Sequence, residues 1–119
     1  MSQPSPESIA IVDVPERSRF EIAVDGTFAG FTEYVDRDVS GEGGESSDRG
    51  VERRLPHTVI EKEFGGRGLA TMLIATALDA ARVDNLAVIP ECSAVQHFIA
   101  ERPDYVDLVP ASRRAEFDL

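Results

Sequence analysis

The sequence predicts an α+β fold, in which a mixed, mostly antiparallel sheet carries two main helices packed on its faces. Apolar and polar residues alternate in the first third of the chain, which is the pattern of half-buried strands. Two later segments repeat their apolar residues with the period of a helix, and a short apolar strand lies between them. This order places the helices on the faces of the sheet, and 119 residues are enough for one domain with its own core.

A hairpin is predicted in the first third of the chain. Residues 20–24 alternate between apolar and polar side chains, and the next strand runs from Phe28 to Tyr34. Between them, Asp25-Gly26 is a strong signal for a two-residue turn, because both central positions of that turn need a positive φ. A short strand is also predicted at Ile9–Val12, ahead of Pro15.

One long strand and two helices are predicted in the rest of the chain. Val51–Phe64 has strand character, and Pro56 restricts its early part to an edge or a bulge. A glycine-rich turn then leads into a helix over Leu69–Arg82, and Leu86–Ile89 is a buried strand. The second helix begins at Ser93, because Ser93-Ala94-Val95-Gln96 fits a capping box, and ends near Arg102, since Pro103 cannot continue it.

The domain boundaries follow from these elements. Residues 1–14 are expected to form an N-terminal tail with the first strand, residues 15–110 the main domain, and residues 111–119 a C-terminal tail. Residues 40–50 contain no hydrophobic side chain, so they cannot bury enough surface to offset their ordering entropy. We expect a flexible inserted loop there, dispensable for folding.

Composition excludes several classes of function. A net charge of −10 argues against nucleic acid as a partner, because phosphate contacts need clustered basic residues. The charge favours a cationic partner, although a solvated acidic surface is the simpler explanation. The single cysteine allows no intrachain disulfide, and neither a secretory signal nor a membrane span is visible. We therefore expect a cytoplasmic protein, away from membranes, that is a monomer or a weak dimer, and no metal site is predicted.

The turn Gly65-Gly66-Arg67-Gly68 is the first candidate binding site. Glycines let the backbone approach an anion closely, and the free amides at the start of the next helix attract phosphate. A plain strand-to-helix turn would have the same spacing. Two other phosphate motifs are excluded, because Thr71 stands where a dinucleotide fingerprint needs its third glycine and the Gly-Lys-Ser/Thr of a P-loop is absent.

Two side chains are candidates for chemistry. Cys92 lies directly before the second helix, whose N-terminal amides stabilise a thiolate, or it is simply a small buried hydrophobe. His57 lies in the predicted long strand and, by strand alternation, shares a face with Glu61 and Glu63. A histidine beside carboxylates could take a proton from an ammonium group, or this could be an ordinary polar sheet face.

Taken together, these motifs resemble one family. The motifs in their order are similar to those of the compact, minimal branch of the GCN5-related N-acetyltransferases, and the resemblance runs from about Arg19 to Leu108. The segments that carry it are Leu55-Pro56-His57-Thr58-Val59, Glu63-Phe64-Gly65-Gly66-Arg67-Gly68-Leu69-Ala70, Ile89-Pro90-Glu91-Cys92-Ser93-Ala94-Val95 and Arg102-Pro103-Asp104-Tyr105.

The resemblance implies an enzyme that moves an acetyl group from acetyl-CoA to a primary amine, carried by a small amine or a basic peptide. It implies a pantetheine arm in an opening between two strands, with its thiol end toward Cys92, and a pyrophosphate on the glycine turn. His57 and Glu61 are the other catalytic candidates. The implied cofactor-binding residues are Thr58, Val59, Ile60, Gly65, Gly66, Arg67, Gly68, Leu69 and Ala70.

The chain departs from the larger superfamily at two points. Glu63 stands where the superfamily has Gln or Arg before the glycines, and Phe98 or Ile99 occupies the region of its usual tyrosine acid. Two other functions therefore stay open. One is an acyl-CoA-binding sensor with little turnover, and the other is a non-catalytic interaction protein on the same fold.

Overall fold

The computed structural model describes residues 8–39 and 50–119, so most of the predicted inserted loop lies outside the described residues. The predicted α+β class is confirmed. The helices are α1 (Leu69–Val83) and α2 (Ser93–Glu101), with short 3₁₀-helices at Pro15–Arg17, Lys62–Phe64, Pro103–Leu108 and Ala111–Phe117. The strands are β1 (Ile9–Val14), β2 (Arg19–Val24), β3 (Thr27–Glu33), β4 (Val35–Asp38), β5 (Val51–Arg54), β6 (Thr58–Ile60) and β7 (Ala87–Ile89).

The strands form two hydrogen-bonded sheets. The first has the order β1-β2-β3-β6 and is antiparallel throughout. The second has the order β4-β5-β7, in which β4 and β5 are antiparallel and β5 and β7 are parallel. The β2–β3 turn has positive φ at Asp25 and Gly26, which confirms the predicted hairpin.

One bent hairpin connects the two sheets. Its strands are β3–β4 and β5–β6, which pair through Val35↔Arg54 in one sheet and Thr32↔Thr58 in the other. Three steps along the chain separate Thr32 from Val35, but four separate Arg54 from Thr58. The segment Leu55-Pro56-His57 therefore contains one extra residue, which is a β-bulge.

The bulge overturns the prediction of one strand over Val51–Phe64. Pro56 has no N–H to donate to a ladder, and the chain changes sheets there. The strand resumes at Thr58 and ends at Ile60, after which Lys62–Phe64 is a 3₁₀-helix. The sequence analysis also missed β4, because all four of its side chains are exposed and it has no inward apolar pattern.

The two predicted helices are present, and both contribute to the core. The buried stripe of α1 packs against β2, β3, β6 and β7, so this helix covers parts of both sheets. Its buried residues are Leu69, Leu73, Ile74, Ala77, Leu78 and Ala81. The inward residues of α2 are Val95, Phe98 and Ile99, as expected, and α2 contacts α1 and the 3₁₀-helix Pro103–Leu108.

The predicted capping box at Ser93 is wrong. The N-cap position belongs to Cys92, and Ser93 is already the first helical residue. The side-chain amide of Gln96 donates to the carbonyl of Pro90 at 2.9 Å rather than turning back to an N-cap amide. The start of α2 is thus tied to the end of β7.

Residues 111–119, expected to be a tail, are structured. Ala111–Phe117 is a 3₁₀-helix, and Phe117 and Leu119 pack against the core. Arg114 Nε donates to the carbonyl of Val109 at 2.9 Å, which fixes the start of this segment. Its few apolar residues lack helical spacing, so this docking could not be predicted from the sequence.

A polar network joins the two sheets where the hairpin bends. Tyr34 lies between β3 and β4, and its hydroxyl donates to Asp13 Oδ1 at 2.6 Å. The guanidinium of Arg53 lies 3.8 Å from the centre of the Tyr34 ring and forms two hydrogen bonds with Asp36, of 2.7 and 2.8 Å. Burial, aided by the hydrogen bond to Asp13, raises the pKa of Tyr34 to about 12.

Candidate active site

The two sheets separate at the bulge and leave an opening between β6 and β7. The parallel pairing of β5 with β7 ends at Arg54↔Ile89, with one more bond from Leu55 N–H to the carbonyl of Ile89 at 3.0 Å. Beyond this hydrogen bond the chain turns toward β3, and β6 forms an edge strand of the first sheet. Pro90 follows Ile89 and has no N–H with which to continue the ladder. The structure thus contains the opening that the family resemblance implied.

The backbone of β6 presents hydrogen-bonding groups to this opening. On the β3 side, Glu33 N–H donates to the carbonyl of His57, and Glu61 N–H donates to the carbonyl of Ala29. Backbone groups of alternate residues in an antiparallel strand point the same way, so the groups of Val59 also face β3. Those of Thr58 and Ile60 face the open edge, where an extended ligand with amide groups could pair with them.

The glycine turn lies just beyond β6 and has the conformation that an anion site needs. Gly66 and Gly68 have φ values of 79° and 76°, and all four turn residues are exposed. A Cβ added at either glycine would meet nothing within 4 Å, so glycine is required here by backbone conformation rather than by space. The left-handed backbone at both glycines is thus established, and the anion site predicted at this turn stays a prediction.

The start of α1 leaves backbone amides directed toward this turn. The first intrahelical bond runs from Met72 N–H to the carbonyl of Gly68 at 3.2 Å, so the amides of the first helical residues precede the ladder. In the part of the chain that the structure describes, no side chain caps this helix, and its first turn contains no acidic residue. The site is electrostatically suited to a phosphate group.

Cys92 lies at the mouth of the opening. It is half-buried at the N-cap of α2, and its N–H donates to the carbonyl of Leu55 at 2.9 Å. Its thiol donates to Thr58 Oγ1 across 3.6 Å. The bulge of one strand and the start of α2 therefore hold the sulfur beside the open edge of β6.

A pair of threonines behind Cys92 was missed by the sequence analysis. Thr58 Oγ1 lies 2.8 Å from Thr32 Oγ1, and Thr32 is 1% exposed. The Thr32 hydroxyl also lies 3.4 Å from the carbonyl of His57. The available signal was a threonine at an inward position of β3, where the other strands have apolar residues.

His57 lies on the opposite face of β6 from Cys92. Its exposed ring lies 6.3 Å from the ring of Phe31, whereas the thiol of Cys92 contacts Thr58, which bonds to Thr32. Phe31 and Thr32 are neighbours on β3, so their side chains point to opposite faces. The structure therefore does not bring the two catalytic candidates together on one face.

The expected carboxylate face next to His57 is only partly present. Glu61 follows β6 directly and is bonded to Ala29 through its backbone, so it stays close to the sheet. Glu63 lies in the 3₁₀-helix Lys62–Phe64, where strand alternation no longer applies. The expectation that all three residues share one strand face is wrong for Glu63.

Metal clusters and membrane-spanning helices are both absent from the described ranges, 8–39 and 50–119. These residues contain no cluster of three or more histidine, cysteine, aspartate or glutamate side chains that could hold a metal ion. None of their helices has the length and apolar character needed to cross a membrane.

Comparison with known proteins was made at two levels. A family model described as a GCN5-related N-acetyl-transferase matches residues 19–108, which include the bulge, the glycine turn and Cys92. No curated protein matches the chain.

Proposed function

Because the chain belongs to the GCN5-related N-acetyltransferases, we propose that it transfers an acetyl group from acetyl-CoA to a primary amine. The observation that carries the proposal is the open edge of β6, which ends beside a glycine turn and an uncapped helix start. One extended ligand with amide groups at one end and a diphosphate at the other fits both features.

The cofactor lies along β6 and over the turn in this proposal. The backbone groups of Thr58 and Ile60 pair with the amides of the pantetheine arm, and the diphosphate accepts hydrogen bonds from the turn and from the first amides of α1. Glu63, which departs from the superfamily pattern, does not interfere, because backbone amides supply these donors. The proposed cofactor-binding residues are Thr58, Ile60 and residues 65–70. Val59 belongs to the same strand, but its backbone groups face β3, so it contributes only by its position in β6.

When bound, acetyl-CoA would supply the acetyl group as a thioester, whose carbonyl carbon an unprotonated amine would attack. As the C–N bond forms, the C–S bond would break, and coenzyme A would leave as a thiolate that takes up the proton lost by the attacking amine as the amide forms. An alkylammonium group has a pKa of about 10.4 and must first lose a proton. His57, on the Phe31 face of β6, is the proposed acceptor of that proton, either directly or through a water held with Glu61. Cys92, on the other face, orients and polarises the acetyl group. The amine therefore approaches from the Phe31 face and the cofactor from the Cys92 face.

The acceptor is proposed to be cationic, a small amine or a basic peptide. A chain with a net charge of −10 steers ammonium groups toward its surface. Acetyl-CoA turnover screened against polyamines, amino acids, aminoglycosides and basic peptides would identify the acceptor class. Saturable binding of acetyl-CoA without acetylation of any amine would point instead to a sensor.

The test of the cofactor site is Gly68→Val, with Gly26→Val as its matched control. Both glycines have a positive φ and open space at the Cβ position, so both substitutions strain a turn to a similar degree. We expect acetyl-CoA binding, measured by calorimetry, to fall at least about tenfold in Gly68→Val, because a side chain there blocks the approach of the anion. Gly26→Val should bind like the parent.

Measurements on the same two variants can also contradict the proposed cofactor site. Thermal unfolding establishes that both remain folded before affinities are compared. If folded Gly68→Val binds acetyl-CoA as the parent does, the diphosphate does not lie on this turn. Absence of binding in the parent would contradict the acetyl-CoA dependence itself.

A further inference from the structure

A groove between α1 and α2 is unused by the site described so far. It has a volume of about 200 Å³ and begins at the first turn of α1, next to the glycine turn. Its walls include Ala70, Thr71 and Ile74 from α1, and Ala94, His97 and Arg102 from α2 and its end. Small and apolar side chains thus line a groove that carries a guanidinium and an imidazole on its α2 side.

Arg102 is held in place by an aromatic platform. Its guanidinium carbon lies 4.3 Å from the centre of the Phe98 ring, and Phe98 is 5% exposed. Phe98 packs edge-on against Tyr105, with ring centres 5.3 Å apart, and the Tyr105 hydroxyl donates to Asp79 at 2.8 Å. A guanidinium stacked on a fixed ring keeps the N–H groups of its rim available to an anion.

The hydrogen-bonding capacity of Arg102 is largely unused. Its ion pair with the neighbouring Glu101 spans 3.8 Å, beyond hydrogen-bond distance, while its side chain is 41% exposed. Arg82, by comparison, donates to Asp107 at 2.8 Å. Within the described residues the guanidinium of Arg102 makes no hydrogen bond. Its N–H groups can therefore donate two parallel hydrogen bonds to a phosphate.

We propose that this groove holds the adenosine end of coenzyme A and that Arg102 binds its 3′-phosphate. The proposal rests on the proposed function, in which the diphosphate lies on the glycine turn. From that turn the ligand continues over Ala70 and Thr71 directly into the groove. The apolar walls suit the face of an adenine ring, and the fork of Arg102 suits a phosphate monoester. Glu101, which also lines the groove, disfavours an anion beside it, so Arg102 is the group that decides phosphate recognition.

The experiment compares coenzyme A with 3′-dephospho-coenzyme A as ligands of the full chain. Affinities are measured by calorimetry for the parent, for Arg102→Gln and for Arg17→Gln. Arg17→Gln removes the same charge from the 3₁₀-helix Pro15–Arg17, which connects β1 and β2, and the side chain of Arg17 is 62% exposed. We expect the parent to prefer coenzyme A by about tenfold, the size of one charge-assisted hydrogen bond. Arg102→Gln should bind both ligands alike, and Arg17→Gln should keep the preference.

A further variant separates charge from geometry. Arg102→Lys keeps the charge but loses the stacked planar fork, so its preference for the 3′-phosphate should fall between those of the parent and Arg102→Gln. An unchanged preference in Arg102→Gln, or an equal loss of affinity for both ligands, would overturn the proposal. Equal affinities in the parent would overturn it too, while leaving the proposed acetyltransferase function standing. If the parent binds neither ligand, the proposed function itself fails.

Discussion

The thiol of Cys92 is close enough to the opening to act in two different ways. In one, the amine attacks acetyl-CoA directly and the thiol only positions the acetyl group. In the other, the Cys92 thiolate attacks the thioester carbonyl, expels the thiolate of coenzyme A and passes the acetyl group to the amine. The hydrogen bond from Cys92 to Thr58 and the position of His57 on the other face favour the first route, because the thiol contacts a hydroxyl rather than the imidazole.

Substitution of Cys92 tests this preference. We expect Cys92→Ser and Cys92→Ala to remain active, with kcat lowered by at most about a hundredfold, which is the size of a positioning or polarising effect. Serine should retain more activity than alanine, since it can still donate to Thr58. Steady-state kinetics with an identified amine measure both values.

Mass spectrometry supplies the complementary measurement. Lys62 is the only lysine in the chain, so a Lys62→Arg background removes the side-chain amine that could be acetylated without an acceptor. After incubation with acetyl-CoA alone, we expect no acetyl group that hydroxylamine removes. A hydroxylamine-sensitive acetyl group, absent from Cys92→Ala, together with a loss of several orders of magnitude in kcat, would establish the covalent route.

At the scale of single residues, the sequence predicts features that depend on neighbouring residues. It does not predict features that depend on contacts between distant parts of the chain. The glycine turn and the position of Cys92 beside a helix start follow from neighbouring residues alone. Thr32 and Arg102 could not be assigned from the sequence. The contact of Thr32 with Thr58 crosses the sheet, and the proposed role of Arg102 depends on the groove that α1 and α2 form when they pack together.

The bent hairpin is the element that creates the site, because one extra residue sends β6 away from β7. Its other end is closed by the pairing of Asp38 with Val51 and by Val39 N–H donating to the carbonyl of Gly50 at 2.9 Å. Val39 and Gly50, which flank residues 40–49, are therefore already adjacent. The register of β4 and β5 depends on this pairing and needs no long connection.

Replacement of residues 40–49 by Asn-Gly tests this independence. The two-residue turn matches an antiparallel pair, and the shorter connection lowers the loop-closure cost by on the order of 1 kcal/mol. We expect an unfolding midpoint equal to or slightly above that of the parent, measured by thermal denaturation, and unchanged acetyl-CoA affinity. A clear loss of stability would show that the removed residues contribute contacts to the fold.

A helix or strand was predictable where the residue pattern of its own segment defines it. The β2–β3 hairpin and α1 follow from alternation, turn chemistry and helical period. The break inside 51–64 was not placed, because Pro56 is compatible with an edge strand as well as with a bulge. β4 carries no inward apolar residue, so only its pairing with β5 defines it as a strand.

Across the whole molecule, the network around Tyr34 joins the two sheets. It joins β1, β4 and β5 through Asp13, Asp36 and Arg53. The raised pKa of Tyr34 means that the folded state favours the neutral phenol. This contribution to stability is complete below the pKa of an unfolded tyrosine, near about 10, and is lost as pH rises through the folded value of about 12.

Tyr34→Phe should remove the part of the alkaline dependence that arises from Tyr34. At neutral pH we expect the free energy of unfolding to fall by about 1 kcal/mol, because the hydrogen bond to Asp13 is lost. Between neutral pH and about pH 11, the parent should lose more stability than the variant does. Denaturant unfolding at both pH values measures the difference.

Tyr105→Phe is the matched control. Tyr105 donates to Asp79, and this hydrogen bond raises the pKa of Tyr105 as well. Tyr105, however, lies against α1 and α2 rather than between the two sheets. The chain has two tyrosines and no tryptophan, so phenolate absorbance reports on these two groups alone. A parent whose stability is flat across this range would contradict a linking role for Tyr34.

The open edge of β6 also has a consequence for the behaviour of the protein in concentrated solution. Unpaired strand edges are templates for pairing with other chains, and this edge stays unpaired whenever no ligand covers it. Its length of three residues limits the pairing that a second copy could achieve, and the net charge of −10 keeps copies apart. Raising the salt concentration, or lowering pH toward the acidic isoelectric point, weakens that repulsion. Colloidal stability of the ligand-free protein is therefore tied to the same gap in the sheet that is proposed to bind acetyl-CoA.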